Sequence, residues 1–395
     1  MHPIYFIAVV VALAIVTLPA TAASMYLLVL TCLSARPASP PASSRKIFFD
    51  IVVPAHDEAA GIGKTISSLK ALSWPDAQYQ IVVVADNCTD ATASISREAG
   101  VTVLERQDSR RRGKGYALAY AFTWSRSAGF ADAVAVVDAD SIVSSNLLES
   151  FASRIETGAC ALQAHYGVLN AMDSWRTRLM AIALGSIHKV RSRAREHMRL
   201  SCGIRGNGWC VTHALLDKIP YRSFSLTEDI EFGIELGLAG YRVAYCDEPH
   251  IHGEMVTSEH ASRSQRQRWE SGRIGLIREK APALLRAAVV RRSLVCLDLA
   301  LDLLVLPLSY VVVNVVGIII VGAFNPDGLR STLLTVGLID LLALAIYVCR
   351  GWMLSGIGII GIWDLFRVPA FLFWKMLIVR FQPKPNTWIR TKREP

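Results

Sequence analysis

Between Lys46 and Lys280 short β-rich runs alternate with helical stretches, and this alternation limits the possible folds more than any other feature of the chain. The runs are Phe48 to Val53, Ile81 to Val84, Val101 to Leu104 and Val134 to Val137. The helical stretches lie near Gly61 to Leu72, Ala91 to Ala99 and Gly115 to Ser127. Strands separated by helices form βαβ units, so the expectation is an α/β domain with a largely parallel sheet. Ligands of such sheets bind beyond the carboxyl ends of the strands. Those ends are polar here: Pro54-Ala55-His56-Asp57-Glu58, then Asp86-Asn87-Cys88-Thr89-Asp90, then Asp138-Ala139-Asp140. Carboxylates on neighbouring strand ends repel one another unless a cation or a base-and-sugar ligand fills the space between them.

Apolar segments flank this region, and 52% of the 395 residues are hydrophobic. Ile4 to Leu33 is long enough to cross a hydrocarbon core of about 30 Å. It reads as an anchor, since no basic segment precedes it and the run is too long for the apolar part of a cleaved leader. Leu294 to Phe324 and Leu333 to Cys349 read as two further spans, joined by the turn Asn-Pro-Asp-Gly. Gly351 to Val379 carries Asp364, Arg367, Pro369 and Lys375, which suits an interfacial or broken helix. The expected organisation is a membrane anchor over 1–34, a linker over 35–46 and the α/β domain over 47–280. Two membrane helices over 281–350 and a basic cytosolic tail within 351–395 complete it.

The net charge of +9 gathers beside the apolar runs, at Arg36, Arg45, Lys46, Arg291, Arg292 and the tail. That pattern orients a multi-pass protein in the cytoplasmic (inner) membrane with its α/β domain in the cytosol. The lipid bilayer is therefore the expected partner, and no nucleic acid is expected, because no aromatic stacking platform interleaves the basic residues. The eight cysteines are scattered without zinc-finger spacing, as in a reduced cytosolic domain. Asp298 and Asp302, at i and i+4 in an apolar run, need a water-lined or protein-lined path or an interfacial depth.

Asp138 and Asp140 flank one residue directly after Ala-Val-Ala-Val-Val. On an extended strand end both face one side and can share a hard cation such as Mg2+ or Mn2+. No phosphate-binding glycine loop of the nucleotide-triphosphatase or nicotinamide type follows the first strand, so a metal-bridged diphosphate is the remaining ligand class. His250 and His252 alternate on a strand, which makes His252 a further candidate metal ligand; a locally satisfied histidine is the plainer reading. Thr227 is a good N-cap for a helix carrying Glu228 and Asp229 in its first turn, an arrangement that by itself is ordinary capping. Displacing a diphosphate from a sugar needs a base on the opposite face, and Asp229 suits that task with Glu228 raising its proton affinity. Gln265 and Arg268 share a helix face with Trp269 nearby, placed either for a diphosphate and an acceptor sugar or for a membrane surface. Gly203 to Trp209 permits a close backbone approach, and Asp173 to Arg199 reads as one long helix.

In kind and order these groups resemble the inverting family-2 glycosyltransferases of GT-A (Rossmann-like) fold, especially membrane synthases of cellulose, chitin, hyaluronan and poly-N-acetylglucosamine. The resemblance covers Ile47 to Arg273. It implies that Ala55, His56, Glu58, Asp86, Lys114 and Asp138 bind a nucleotide sugar, with uridine as the expected nucleoside. It implies Asp229 and Glu228 as catalytic, Gln265, Arg268 and Trp269 at the diphosphate and acceptor, and Asp138 and Asp140 at the metal. Where that family often has Tyr or Phe plus Asn, this chain has His56 and Asp57. The implied activity is hexosyl or N-acetylhexosaminyl transfer to a growing exopolysaccharide through a β-linkage, with export partner proteins. The alternative is a single addition to a lipid-linked acceptor. The tail Trp388 to Arg393 resembles short threonine-basic gating segments, and equally suits a lipid surface.

Overall fold

The computed structural model describes residues 3–255, 259–325 and 329–368, with side chains described at 11, 13–255, 271–325 and 329–368. Helix α1 (Pro3–Cys32) leads through the proline-bearing linker to β1 (Phe49–Ala55), α2 (Ile62–Lys70), β2 (Tyr79–Asp86), α3 (Thr92–Glu98) and β3 (Thr102–Arg106). Then come α4 (Lys114–Ala128), β4 (Ala133–Val136), β5 (Ser141–Val143), α5 (Leu147–Glu156) and β6 (Ala161–Val168). A helix that starts as α6 (Trp175–Leu184) passes through a π-helical stretch, Gly185–Arg191, into α7 (Ser192–His197). The sheet is completed by β7 (Trp209–Thr212), followed by α8 (His213–Lys218), α9 (Glu228–Leu238) and β8 (Ala244–Gly253). The chain continues as α10 (Glu259–Val290), α11 (Leu294–Leu304), α12 (Leu308–Phe324), α13 (Leu329–Ser355) and α14 (Ile360–Leu365).

The eight strands form one sheet in the order β3-β2-β1-β4-β7-β6-β8-β5. The first four in that order are parallel, and β7 joins them antiparallel. Both faces of β1, β2 and β4 are covered, which is why these strands read as apolar runs, while β3 at the edge is only half-buried. Along β1 the period of two separates two cores: Ile51 and Val53 pack with Ile62, Ile66 and Leu69 of α2, while Val52 packs with Ala117 and Phe122 of α4. The chain lays β2 and β3 on one side of β1 and then returns to lay β4 on the other. The strand order therefore reverses between β1 and β4, and the crevice at their carboxyl ends is where a ligand of such a sheet sits.

Among the described residues, Leu13–Cys32 and Leu329–Ser355 are long and apolar enough to cross a membrane. The run Leu294 to Phe324, expected as one span, is two helices meeting at 72°. Proline at 307 supplies no N–H to continue α11, and Val305 turns to ψ 108 to leave it. Helices α1, α12 and α13 pack through Ala20, Ala23 and Leu27 against Val311, Val315, Ile318 and Leu344. The stretch expected as one long helix over Asp173 to Arg199 begins at Trp175 under a Ser174 capping box and carries the π-helical insertion. There Gly185 crosses Gly351 of α13 so closely that a Cβ at Gly185 would lie 2.8 Å from the Gly351 carbonyl oxygen.

The two acidic residues of α11 face protein. Asp298 accepts from Arg195 Nε at 2.7 Å and from the Tyr26 hydroxyl at 2.7 Å. Asp302 lies 2.8 Å from Arg195, 3.1 Å from Arg191 and 2.9 Å from Arg205. Arginines from the α6–α7 helix and from the loop before β7 thus hold two buried carboxylates of α11. The arrangement replaces the water these groups lose with charge-assisted hydrogen bonds.

Candidate active site

The β1 and β2 tips are locked together by Asp57, whose Oδ1 accepts the backbone N–H of Thr89 at 2.6 Å and of Asp90 at 3.2 Å. Burial opposes its charge, but those N–H groups and His56 outweigh it and hold the carboxyl below its ordinary range. Asp57 and Asn87 sit at φ +54 and +53, a region that Asp and Asn tolerate better than other side chains. The His56 ring places Nδ1 2.7 Å from the Asp86 carbonyl oxygen. At the end of β2, Asp86 lies in register with Arg106 of β3, and the two side chains pair at 2.6 Å. Arg106 also reaches Asp108 at 3.1 Å and lies over Tyr116, which stacks on Phe224 with centroids 4.4 Å apart.

Beyond β4, Asp138 and Asp140 stand in the turn before β5 rather than on an extended strand end. The turn is clamped from both sides: Thr65 Oγ1 donates to the Ala139 carbonyl at 2.8 Å, and Asp138 N donates to Asn207 Oδ1 at 3.0 Å. Asp140 Oδ1 accepts the Ser141 hydroxyl at 3.0 Å. Lys114, the first residue of α4, reaches across the crevice. Its Nζ lies 2.6 Å from Asp138 Oδ1, 2.5 Å from the Gly206 carbonyl oxygen and 3.9 Å from Glu228 Oε1. Burial works against the ammonium, yet Asp138, Glu228 and Asp229 together hold it charged above its ordinary range.

Glu228 and Asp229 begin α9 on the far wall. Burial raises the Glu228 carboxyl to about 7, with Asp229 adding to the rise and Lys114 opposing it. Burial likewise raises Asp229, against Lys114 and the N–H groups of its own helix start. Thr227 occupies the N-cap position, but its hydroxyl makes no capping bond. That hydroxyl is buried against α10, where a Cβ at Gly272 would lie 3.1 Å from it. The helix start is therefore held by packing on α10, not by the side-chain cap the sequence suggested. The loop before β7 supplies the floor. Gly206 sits at φ +82, a conformation that glycine adopts without strain, and a Cβ there would be in ordinary contact with Asp229 Oδ2 at 3.5 Å.

The structure thus brings Lys114, Asp138, Glu228 and Asp229 to one crevice, beside His56 and Asp86 on the neighbouring tips. It puts His252 elsewhere: the ring lies over Gly167 beside His165 and 5.0 Å from His250, facing a separate cavity. Among the described residues, the group of three donors close enough to hold a metal is Asp57, Cys88 and Asp90. Asp57 and Asp90 there already accept N–H groups of the β1 and β2 tips. Gln265, Arg268 and Trp269 belong to α10, and their side chains lie outside the described residues, as does the tail Trp388 to Arg393. Arg106 and Asn207 were not singled out from the sequence. The signal for Arg106 was the end of β3, one parallel strand from Asp86; Asn207 gave none apart from its glycine neighbours.

Known proteins resemble this chain in sequence and in fold. The family described as "Glycosyltransferase like family 2" matches residues 47–272. The beta-monoglucosyldiacylglycerol synthase of a Nostoc species is 28% identical over 234 residues, 57% of this chain and 48% of its own. The probable glucomannan 4-beta-mannosyltransferase 1 of Arabidopsis thaliana is 25% identical over 241 residues, 58% of this chain and 43% of its own. The chain spans about half the length of these curated relatives. Among solved structures, a mannosyltransferase from Pyrobaculum calidifontis in complex with GDP-Man and Mn2+ superposes with a TM-score of 0.51 at 16% identity, over 85% of this chain and 97% of that one. A family match over more than half of the chain, on a sheet of this topology, shows that the protein belongs to the glycosyltransferase like family 2 and has the GT-A fold.

Proposed function

We propose that the domain transfers a hexosyl group from a nucleotide sugar, UDP-linked by preference, to a hydroxyl at the membrane surface with inversion of the anomeric centre. The observation that carries this reading is the crevice itself: two carboxylates with raised proton affinity face a third across one lysine ammonium. Asp229 accepts the proton of the attacking hydroxyl, and Glu228 beside it keeps that proton affinity high. Lys114 sits on the side of the leaving diphosphate, while Ala55, His56, Glu58 and Asp86 form the edge for base and ribose. Gln265, Arg268 and Trp269 take the acceptor side. Asp138 and Asp140 are hard oxygen donors on one clamped turn, and Asp138 already draws a cation, which fits Mg2+ or Mn2+. When bound, the metal neutralises charge on the leaving diphosphate.

A lipid-borne acceptor is the form we favour. Asp298 and Asp302, which could have bordered a polymer path, are engaged by arginines and Tyr26. The Nostoc relative, by its name, glucosylates diacylglycerol. Extension of a polysaccharide is the second reading, supported by the name of the Arabidopsis relative. The test is turnover of the purified full chain with UDP-glucose, UDP-N-acetylglucosamine and GDP-mannose, each with and without Mn2+, with diacylglycerol or oligosaccharide as acceptor. A metal-dependent single-sugar lipid is expected; a polymer selects the second reading, and no transfer from any donor overturns both. Asp229→Asn should abolish transfer while UDP binding persists, and retained turnover removes the base assignment.

A further inference from the structure

A second cavity of about 440 Å3 lies away from the crevice, between strands β6 and β8 of the sheet and the end of α13. Its walls come from three parts of the chain: His165, His250 and His252 on the strands, Lys189 and Arg193 on the α6–α7 helix, and Leu354 and Ser355 of α13. Arg36, four residues beyond α1, stands at its rim. The charges do not balance. Asp247 is shared by Arg193, at 2.7 and 2.8 Å, and by Arg36 at 3.5 Å. Glu248 is held by Arg154 at 2.8 Å. Lys189, whose hydrogen bond goes to the Leu354 carbonyl at 3.1 Å, feels only Asp247, which two guanidiniums already share, so three cations face two carboxylates in the cavity wall.

The imidazoles add donors. His165 is 8% exposed, lines the cavity, and its Nδ1 has no hydrogen-bond partner. A buried polar atom without a partner costs about 1 to 3 kcal/mol, so a polar ligand that hydrogen-bonds to this ring, as acceptor or donor according to its tautomer, would relieve that cost. Gly167 makes the histidine cluster possible. A Cβ there would lie 2.8 Å from the His252 ring and 3.5 Å from His165 Nε2, so the missing side chain lets both rings meet the cavity. A wall with an excess of ammonium and guanidinium over carboxylate repels a metal ion and attracts an anion.

We infer that this cavity binds a phosphate group, and that the phosphate is the headgroup of a membrane lipid. The position argues for the lipid source. Helices α1 and α13 are the candidate spans, and the carboxyl ends of both meet here, tied by Arg350 Nε donating to the Ser34 hydroxyl at 3.0 Å. The cavity therefore lies at the depth where lipid phosphates sit, beside basic residues suited to a cytoplasmic leaflet.

The test uses the full chain in a neutral detergent, titrated calorimetrically with dihexanoyl phosphatidic acid, dihexanoyl phosphatidylcholine and inorganic phosphate. One equivalent of the phosphatidic acid should bind, more tightly than either of the others. Loss of a charge-assisted contact in Lys189→Met should weaken it about tenfold or more, with Lys189→Arg retaining it. His165→Leu, which cannot donate, should also weaken it while the melting temperature holds, so misfolding of one variant does not decide the outcome. Phosphate binding as tight as the lipid, with the same dependence on Lys189, overturns the lipid source in favour of free phosphate. Phosphatidic acid binding that is absent, or indifferent to both Lys189→Met and His165→Leu, overturns the site.

Discussion

Replacing Lys114 by Met removes the one ammonium that stands between Asp138 and the Glu228–Asp229 pair while keeping the length of the side chain. At 3.9 Å from Glu228 the attraction is on the order of 4 kcal/mol with an effective dielectric constant near 20, equivalent to about 3 pH units in a carboxyl pKa. Solvent in the open crevice reduces this, so a rise of about one to two units is expected. Glu228 starts from about 7 and Asp229 is raised with it. The acid limb of kcat/KM should therefore lie about one to two pH units higher in Lys114→Met than in the parent protein. On the acid side of that limb the variant loses about tenfold to a hundredfold in rate, and much of that loss returns as the pH rises. A lysine that merely grips the diphosphate gives another profile, a uniform loss with no alkaline recovery. The assay is initial-rate transfer between pH 5.5 and 9.5 with saturating metal; an unmoved acid limb would refute the electrostatic argument.

Glu228 also marks the stability of the fold. Because its folded pKa of about 7 exceeds the ordinary 4.5, the folded state holds more protons than the unfolded one in that window, and its stability falls as pH rises through it. Glu228→Gln should flatten that fall in melting temperature measured from pH 4.5 to 7.5. Asp302→Asn leaves Arg191 and Arg205 without their carboxylate, and should cost about 3 to 5 kcal/mol in thermal or denaturant unfolding in detergent. Gly206→Ala forces a Cβ residue to φ +82 beside Asp229. A strain of about 1 to 2 kcal/mol at the crevice floor should lower kcat well before it lowers the melting temperature.

The parallel part of the fold was legible because its strands β1, β2 and β4 are buried on both faces, so Ile81 to Val84 reads as a central strand with a polar tip. The mixed half was not, since β5 and β7 are short and their order depends on pairings far apart in sequence. Asp138 and Asp140 could be found from composition, but their backbone could not: the turn owes its shape to Thr65 and Asn207, 73 residues before and 69 residues after Asp138. The N-cap at Thr227 failed for a similar reason. Capping is a local preference of about 1 kcal/mol, and burial of the hydroxyl against α10 overrides it.

The same distinction between local and distant causes explains how the apolar helices α1 and α11 bear on the crevice. Arg205 directly precedes Gly206, whose carbonyl accepts from Lys114, and Arg205 is anchored to Asp302 on α11. Asp302 in turn shares Arg195 with Asp298, which accepts from Tyr26 on α1. From α1 to the lysine among the carboxylates the chain of contacts is polar and mostly buried, so it resists small displacements. That makes the position of the crevice floor a property of how the helices α1 and α11 pack, and the α/β domain alone does not contain it. Excising residues 47–280 should leave a protein that retains the sheet by circular dichroism yet transfers far more slowly than the full chain in detergent. Equal rates for the two would show that the floor at Gly206 holds its place without α11.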